Sequence, residues 1–327
     1  MNNTSTKILL SIDAGASNIR LVLFNERGET LNSMVKSPGA NISISPEAST
    51  KKIVNSITEL LENSGFSYDD ISHYSLGIAG ISDDKGRDML FKALDEKQIS
   101  QITHLSSDVN PIFDINCSDN SAILVSIGTG LIALGRTVDN KIVKAAGIGL
   151  EEDFGSGYWI GKELILSLSF SRNEEQDQDE FSEILDLSLN HYQTKDLNSA
   201  IDRIMISDDR YSQIASLAKP LIGCANNDNQ IALSIIQQSS QYAADYILTL
   251  ADQISYTNND LFIIANGGIL NSSFYRQSLT DALSFDFDNI NWLLPSISTA
   301  YYPGLLSCKI LGLSTTVKDI LKENPIA

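Results

Sequence analysis

Short apolar runs broken by small or polar residues open this chain, and their length selects strands over helices. Ile8-Leu9-Leu10-Ser11-Ile12 and the run from Ile19 to Phe24 are strand-sized and rich in branched residues that suit a pleated surface. Between them lie Asp13, Ala14, Gly15, Ala16, Ser17 and Asn18, a string of turn formers. A second turn at Asn25-Glu26-Arg27-Gly28 and a run from Thr30 to Lys36 complete a predicted antiparallel meander. The period then changes to 3.6. Ile53, Ile57, Leu60 and Leu61 recur at helical spacing behind Ser45, a capping residue, Pro46, suited to the first helical position, and Glu47, suited to the positive helix end. Beyond that helix the pattern predicts a strand over Tyr74–Ile78, a helix over Asp84–Leu94, a strand over Ile102–Leu105 and a helix over Pro111–Ile115.

After Asn120 the same order begins again: an apolar run from Ala122 to Ile127, the turn Gly128-Thr129-Gly130, a run from Leu131 to Thr137, the turn Asp139-Asn140, and Lys141 to Ala145. The chain reads as duplicated in architecture though not in letters. The second copy differs by a long helical stretch, predicted over Gly157–Phe170, Phe181–Tyr192, Leu197–Met205, Tyr211–Cys224 and Gln230–Ile254. Strands over Leu261–Ala265 and Asn291–Leu294, a helix over Ser273–Leu283 and another after Pro303 close an alternating α/β pattern. The charge run from Arg172 to Glu180 reads as a solvated loop.

At 327 residues the chain exceeds what one core usually supports, so two domains are expected, 1–118 and 119–327, with the last helix packing back on the first. A formal net charge of -18 argues against nucleic acid and anionic membranes as partners. It also leaves few cations for a phosphate ligand, so backbone N–H groups, helix ends and a divalent cation would carry that load. Met1 to Lys7 lack the basic, apolar and small-residue order of a secretory leader, and no apolar run reaches bilayer length, which together predict a cytoplasmic protein. Cys117, Cys224 and Cys308 form no Cys-x-x-Cys pair and read as buried small hydrophobes; His73, His104 and His191 have no metal-ligand spacing.

The candidate chemistry sits at the turns. Small residues let backbone N–H groups approach an anion, so the turns at 13–18 and 128–130 read as two halves of a polyphosphate site, or singly as ordinary β turns. Asp13 is either a Mg²⁺ ligand or a turn aspartate bonding its own loop. Asp108, ahead of a short helix, is either its N-cap or a base. Asn41 has an amide that can both donate to and accept from hydroxyls; Asp153 precedes Gly155-Ser156-Gly157 at a helix start.

Six strings occur in order along the chain: Ser37-Pro38-Gly39-Ala40-Asn41-Ile42, Leu76-Gly77-Ile78-Ala79-Gly80, Ser107-Asp108-Val109-Asn110, Gly128-Thr129-Gly130, Gly155 through Gly161, and Ala265-Asn266-Gly267-Gly268-Ile269. Together with the repeated meander, they resemble the N-acetylglucosamine kinase and BadF-type ATPase family, including bacterial glucosamine kinases, within the actin, Hsp70 and sugar-kinase superfamily. The resemblance implies two RNase H-like domains of actin/hexokinase type, a central cleft and a helical insertion in the second domain. It implies an ATP- and Mg²⁺-dependent kinase of N-acetylglucosamine or glucosamine, with attack by the C6 hydroxyl and a homodimeric state. Asp108 would be the catalytic base and would also touch the sugar, alongside Asn41, Gly80 and Asp153. Asp13, Gly15, Ala16, Ser17, Asn18, Gly128, Thr129, Gly130, Gly267, Gly268 and Asn271 would bind ATP, and Asp13 the metal. The chain departs from the family at Ala14, Ala16, Ser17, Leu131, Glu152 and Phe154. Phe154 would stack on a sugar face, and Glu151 and Glu152 would favour an ammonium group. Rival readings are a BadF-type activator of a dehydratase, for which the cysteines do not match, and a nucleotide- or sugar-binding sensor without turnover.

Overall fold

The computed structural model describes residues 6–117, 119–170 and 178–324, so most of the 172–180 charge run and of the opening segment lies outside the described residues. The chain divides into two compact units, 1–118 with 295–327, and 119–294.

The first unit opens with β1 (Ile8–Ala14), β2 (Ile19–Asn25) and β3 (Thr30–Lys36), followed by α1 (Pro46–Ser64), β4 (His73–Ile78), α2 (Asp84–Glu96), β5 (Thr103–Ser106) and α3 (Asn110–Asn116). Its sheet has the order β3-β2-β1-β4-β5, with β1 antiparallel to β2 and parallel to β4. β1 is apolar almost throughout because both its faces are covered. Leu10, Ile12 and Ala14 face a core shared with Ile53, Ile57 and Leu60 of α1, and Leu9 faces the opposite one. Ser45 precedes α1 as expected, but its hydroxyl makes no cap bond; its N–H bonds the Asn41 carbonyl at 3.2 Å, and Pro46 begins the helix without needing a donor.

The second unit repeats the plan with β6 (Ile123–Ile127), β7 (Leu131–Arg136) and β8 (Ile142–Ala146). Six helices follow: α4 (Gly157–Phe170), α5 (Gln178–His191), α6 (Leu197–Met205), α7 (Arg210–Ala215), α8 (Ala218–Asn226) and α9 (Gln230–Gln253). Then come β9 (Asp260–Asn266), α10 (Ser273–Leu283) and β10 (Asn289–Leu293), giving the sheet order β10-β9-β6-β7-β8. The helix expected over Tyr211–Cys224 is two helices. Pro220 has no N–H for the Ser216 carbonyl and its ring collides there, so the chain breaks at Ser216-Leu217. The two sheets match strand for strand, and the helices between β8 and β9 are the insertion that separates the copies.

After β10 the chain returns to the first unit with α11 (Tyr301–Ile310) and α12 (Val317–Glu323). Ala300, Leu305, Cys308 and Ile320 cover the second face of the first sheet, against Leu9, Val22 and Phe24. Each such fully buried aliphatic side chain contributes about 1.5–3 kcal/mol. Gly304 fits because a Cβ there would fall 2.7 Å from the Phe24 ring and 2.9 Å from Ser11 Cβ. Cys117, Cys224 and Cys308 are buried, and none of them is in a disulfide.

Candidate active site

Where β1 ends, Asp13 pairs with Arg20 across the antiparallel ladder and with Gly77 across the parallel one, while Gly77 in turn pairs with Ser106 of β5. The C-terminal ends of three parallel strands therefore line up, the edge at which open α/β sheets bind ligands. The chain leaves β5 through Ser107 and Asp108. Gly77 permits that approach, since a Cβ on it would lie 3.4 Å from Asp108 Cα, 3.4 Å from the Ile12 carbonyl oxygen and 3.0 Å from Pro303 Cγ.

Asp108 does not cap α3. The helix's free N–H at Asn110 donates to Ser107 Oγ at 3.0 Å, and the capping position itself is Val109. Burial pushes the Asp108 carboxyl up to about 7; the neighbouring Asp13 charge adds to the rise, and N–H groups of Asp108 and Val109 oppose it. Such a group is ionised in part at neutral pH and can both take and release a proton there.

Asp13 is 7% exposed. Its Oδ2 accepts from the Thr299 hydroxyl and, at 3.4 Å, from Arg20 Nη1, not from its own loop, so the turn-aspartate alternative is not met. Burial raises its pKa, whereas Thr299 and Arg20 hold it down. Arg20 and Thr299 were absent from the sequence expectations. Arg20 was legible from the ladder, because the hairpin register puts it opposite Asp13; Thr299 lies 286 residues away and only the return of the chain brings it there.

The turn beyond Asp13 is closed by the Gly15 N–H donating to the Asn18 carbonyl at 3.0 Å. The following loop is pressed onto it: Ala40 N–H donates to Gly15 O at 2.9 Å and Ser37 Oγ to Asn18 Oδ1 at 2.5 Å. Gly39 is obligatory, because a Cβ would sit 2.1 Å from the Gly15 carbonyl oxygen. Neither Ala14 nor Ala16 has a positive φ, so their methyl groups strain nothing; Ser17 is exposed at the tip. Downstream of the same loop, Asn41 bridges to Ala79 beside Gly80. Its Oδ1 accepts from Ser43 N at 3.0 Å and Ser43 Oγ at 2.7 Å, which leaves the Nδ2 donors without a protein partner among the described residues. Gly80 has φ +78°, and a Cβ there would strike Asn41 Oδ1 at 2.3 Å.

In the second unit, the turn Gly128-Thr129-Gly130 is fastened to the start of α4. Gly157 N–H donates to Gly128 O at 2.9 Å and Tyr158 N–H to Thr129 O at 3.0 Å, while Ser156 Oγ caps the helix through Trp159 N–H at 3.2 Å. Gly267 packs against the same turn with φ +90°, its Cβ direction blocked 2.3 Å away by the Ile127 carbonyl. Gly268 and the exposed Asn271 follow in the short helical turn after β9. Gly128, Thr129, Gly130, Gly267 and Gly268 are thus brought together.

Asp153, expected on a sugar, is 4% exposed and its carboxylate is filled by backbone. It accepts from Ile148 N–H at 3.0 Å, with the N–H groups of Gly149, Gly147 and Leu131 also holding the charged form, against a burial effect that raises its pKa. In this conformation it ties the 147–149 loop to the start of β7. Phe154 is 45% exposed and stacks on Tyr242 at 5.4 Å; Glu151 accepts from the Tyr211 hydroxyl at 3.1 Å.

Mg²⁺ takes one or two carboxylates and completes its octahedron with water and phosphate oxygens. Asp13 and Asp108 are hard oxygen donors of that kind, and Asp13 Oδ1 has no hydrogen-bond partner among the described residues. No group of three or more His, Cys, Asp or Glu gathers among the described residues. Asp13 and Asp108 are the carboxylates that would hold a Mg²⁺ whose other ligands are water and phosphate oxygens. Among those residues no helix is long and apolar enough to cross a membrane.

The sequence profile of the BadF/BadG/BcrA/BcrD ATPase family matches residues 10–298. No curated protein sequence matches the chain. Among solved structures, two proteins described as "putative N-acetylglucosamine kinase" share the fold at 17% identity. The one from Chromobacterium violaceum has a TM-score of 0.69 over 92% of this chain and 98% of its own. The one from Porphyromonas gingivalis has a TM-score of 0.65 over 92% and 97%. A ROK family glucokinase from Streptomyces griseus, solved with glucose and AMPPNP, has a TM-score of 0.58 at 13% identity over 92% and 99%.

Proposed function

The chain belongs to the BadF/BadG/BcrA/BcrD ATPase family, and we propose that it is an ATP-dependent sugar kinase whose acceptor is an amino sugar, N-acetylglucosamine or glucosamine. The observation that carries this reading is the pair of shielded carboxylates at one sheet edge, with Asp108 pushed up to about 7. Two carboxylates with different partners, Asp13 buried and Asp108 half-buried, divide into different tasks. Burial raises the Asp13 pKa, but its hydroxyl and cationic donors favour the charged form, and it would hold the metal. Asp108 has no cationic partner among the described residues and takes the proton.

In the proposed reaction the acceptor hydroxyl, the C6 one, loses its proton to Asp108 as its oxygen bonds the γ-phosphorus, and the bond to the β-bridging oxygen breaks to leave ADP. Mg²⁺, when bound at Asp13, supplies neutralisation of the charge on the phosphate oxygens. The turns at 15–18 and 128–130 present backbone N–H groups to phosphate, and Gly267, Gly268 and Asn271 meet the adenosine. Asn41, whose Nδ2 donors are unused by the protein, receives a sugar oxygen beside Gly80. Asp153 sets the position of the second turn from behind.

The test is ADP release over a panel of hexoses and hexosamines. Turnover that depends on an amino sugar, and that Asp108→Asn abolishes, supports the proposal. ADP release indifferent to every sugar, or binding of nucleotide without turnover, overturns it.

A further inference from the structure

Both hydrogen bonds to Asp13 converge on one oxygen. Thr299 Oγ1 and Arg20 Nη1 both donate to Oδ2, and Oδ1 is left over. Thr299 lies one residue beyond the stretch matched by the family profile, at the point where the chain re-enters the first unit. Its placement is built in. Ser11, two residues before Asp13 on β1, donates through Oγ to the Ala300 carbonyl at 2.5 Å and accepts the Gly304 N–H at 2.7 Å. Ser11 is fully buried, and the Gly304 contact with Phe24 locks α11 against the same sheet face. The start of α11 is therefore pinned to β1 at Ser11, two residues before Asp13.

We infer that Thr299 is a positioning residue for the metal-holding carboxylate: its hydroxyl fixes the Asp13 rotamer, occupies Oδ2 and presents Oδ1 to the Mg²⁺ of a bound nucleotide. Arg20 shares Oδ2 at longer range, and its side chain is 39% exposed, so Thr299 is the closer and more rigid of the two constraints. A carboxylate at the end of a strand has two free torsions; one hydrogen bond from a β-branched residue pinned by its own backbone removes most of that freedom. The inference rests on the kinase reading for the identity of the ligand.

The measurement is calorimetric binding of ADP with excess Mg²⁺ and, separately, of ADP in EDTA, for the wild type, Thr299→Val and Thr299→Ser. Loss of an outer hydrogen bond of this type weakens metal affinity by about 10- to 100-fold. Thr299→Val is expected to lose that factor in Mg-ADP affinity while its affinity for ADP in EDTA stays within about twofold, and Thr299→Ser to restore most of the loss. In an Asp13→Asn background the valine substitution should add nothing, because the carboxylate through which it acts is gone. Wild-type affinity of Thr299→Val for Mg-ADP, or an equal loss with and without metal, overturns the inference. If the valine chain does not fold, Thr299→Ala against Thr299→Ser carries the same comparison. A wild type that binds ADP no better with Mg²⁺ than in EDTA instead counts against the kinase reading itself.

Discussion

Replacing Asp108 by Asn should separate activity from stability, and do so in a pH-dependent way. The carboxyl is ordinarily half-ionised near 3.8 and is pushed up to about 7 here, first by burial and second by Asp13. A shift of that size corresponds to about 4 kcal/mol between the two protonation states. In the wild type the unfolded chain ionises Asp108 from about pH 4 upward, whereas the folded chain resists until about pH 7. Its favourable contribution is thus fully present below 3.8 and is lost as pH rises through the folded value. Asn carries no charge at any pH and escapes the loss. It also gives up the charge-assisted bonds from the N–H groups of Asp108 and Val109, and water reaches part of the side chain, so the net gain at pH 8 is trimmed to about 1–2 kcal/mol. That is a rise in Tm of roughly 3–6 °C. Thermal melts of both proteins in EDTA at intervals from pH 5 to 8 give the assay. The Tm advantage of Asp108→Asn should grow through this range while sugar-dependent turnover falls by about 10² to 10⁴. A Tm difference that is flat across the range, or negative at pH 8, would refute the claim that Asp108 is held shielded beside a like charge.

Four further outcomes follow from the same geometry. The acid limb of kcat/KM should have its midpoint near 7 at low Mg²⁺ and move to lower pH as Mg²⁺ saturates, because the metal cancels the Asp13 charge that raises Asp108; a midpoint indifferent to Mg²⁺ contradicts this. Gly39→Ala puts a Cβ 2.1 Å from the Gly15 carbonyl and should displace the first turn, lowering nucleotide affinity by calorimetry with a loss of stability of about 1–3 kcal/mol. Asn41→Ala should raise the sugar KM about 3- to 10-fold at unchanged nucleotide affinity, the worth of one uncharged hydrogen bond. Asp153→Asn places an amide where backbone N–H groups point and should lower Tm, at a cost of about 1–3 kcal/mol, with a larger effect on nucleotide binding than on sugar KM.

The fold was legible because its signals are local. Runs of strand length, Pro46 and the turn residues act within a few positions, and apart from the split helix over Tyr211–Cys224 the strands and helices they predict are present, with ends shifted by at most three residues. The sequence pattern also exposed the duplication, since a meander followed by alternating elements occurs twice. What it concealed came from tertiary return. Thr299 has no motif, and its meaning arises from Ser11 and Gly304 docking α11 on β1. Asp153 was visible as an acid near a helix, but which N–H groups would fill it depends on a loop that folds back from β8. Ser45 and Pro220 show the limit of local rules in opposite directions: a good capping residue leaves its hydroxyl unused, and a proline inside a helical period breaks it.

The two sheets differ at the strand ends that the proposed function uses. In the first, the position one before the last β1 pair is Asp13, and its parallel neighbour on β4 is Gly77, whose missing side chain lets Asp108 come close. In the second, the corresponding position on β6 is Ser126 and its neighbour on β9 is Asn266, and these two satisfy each other through a 2.9 Å hydrogen bond. One edge therefore holds a carboxylate beside a glycine, over which Asp108 and Pro303 pack, and the other a neutral pair that closes itself. Two charged edges would have doubled the repulsion in a protein already at -18 and added a second cation requirement to a chain poor in lysine and arginine. A neutral second edge leaves backbone N–H groups as the dominant dipoles at the 128–130 turn, which suits the anion-binding role proposed for it. The duplicated architecture thus supplies two similar frames that differ by two side chains, Asp13 with Gly77 against Ser126 with Asn266, and on the proposed function the first frame would handle metal and proton and the second would bind the anion.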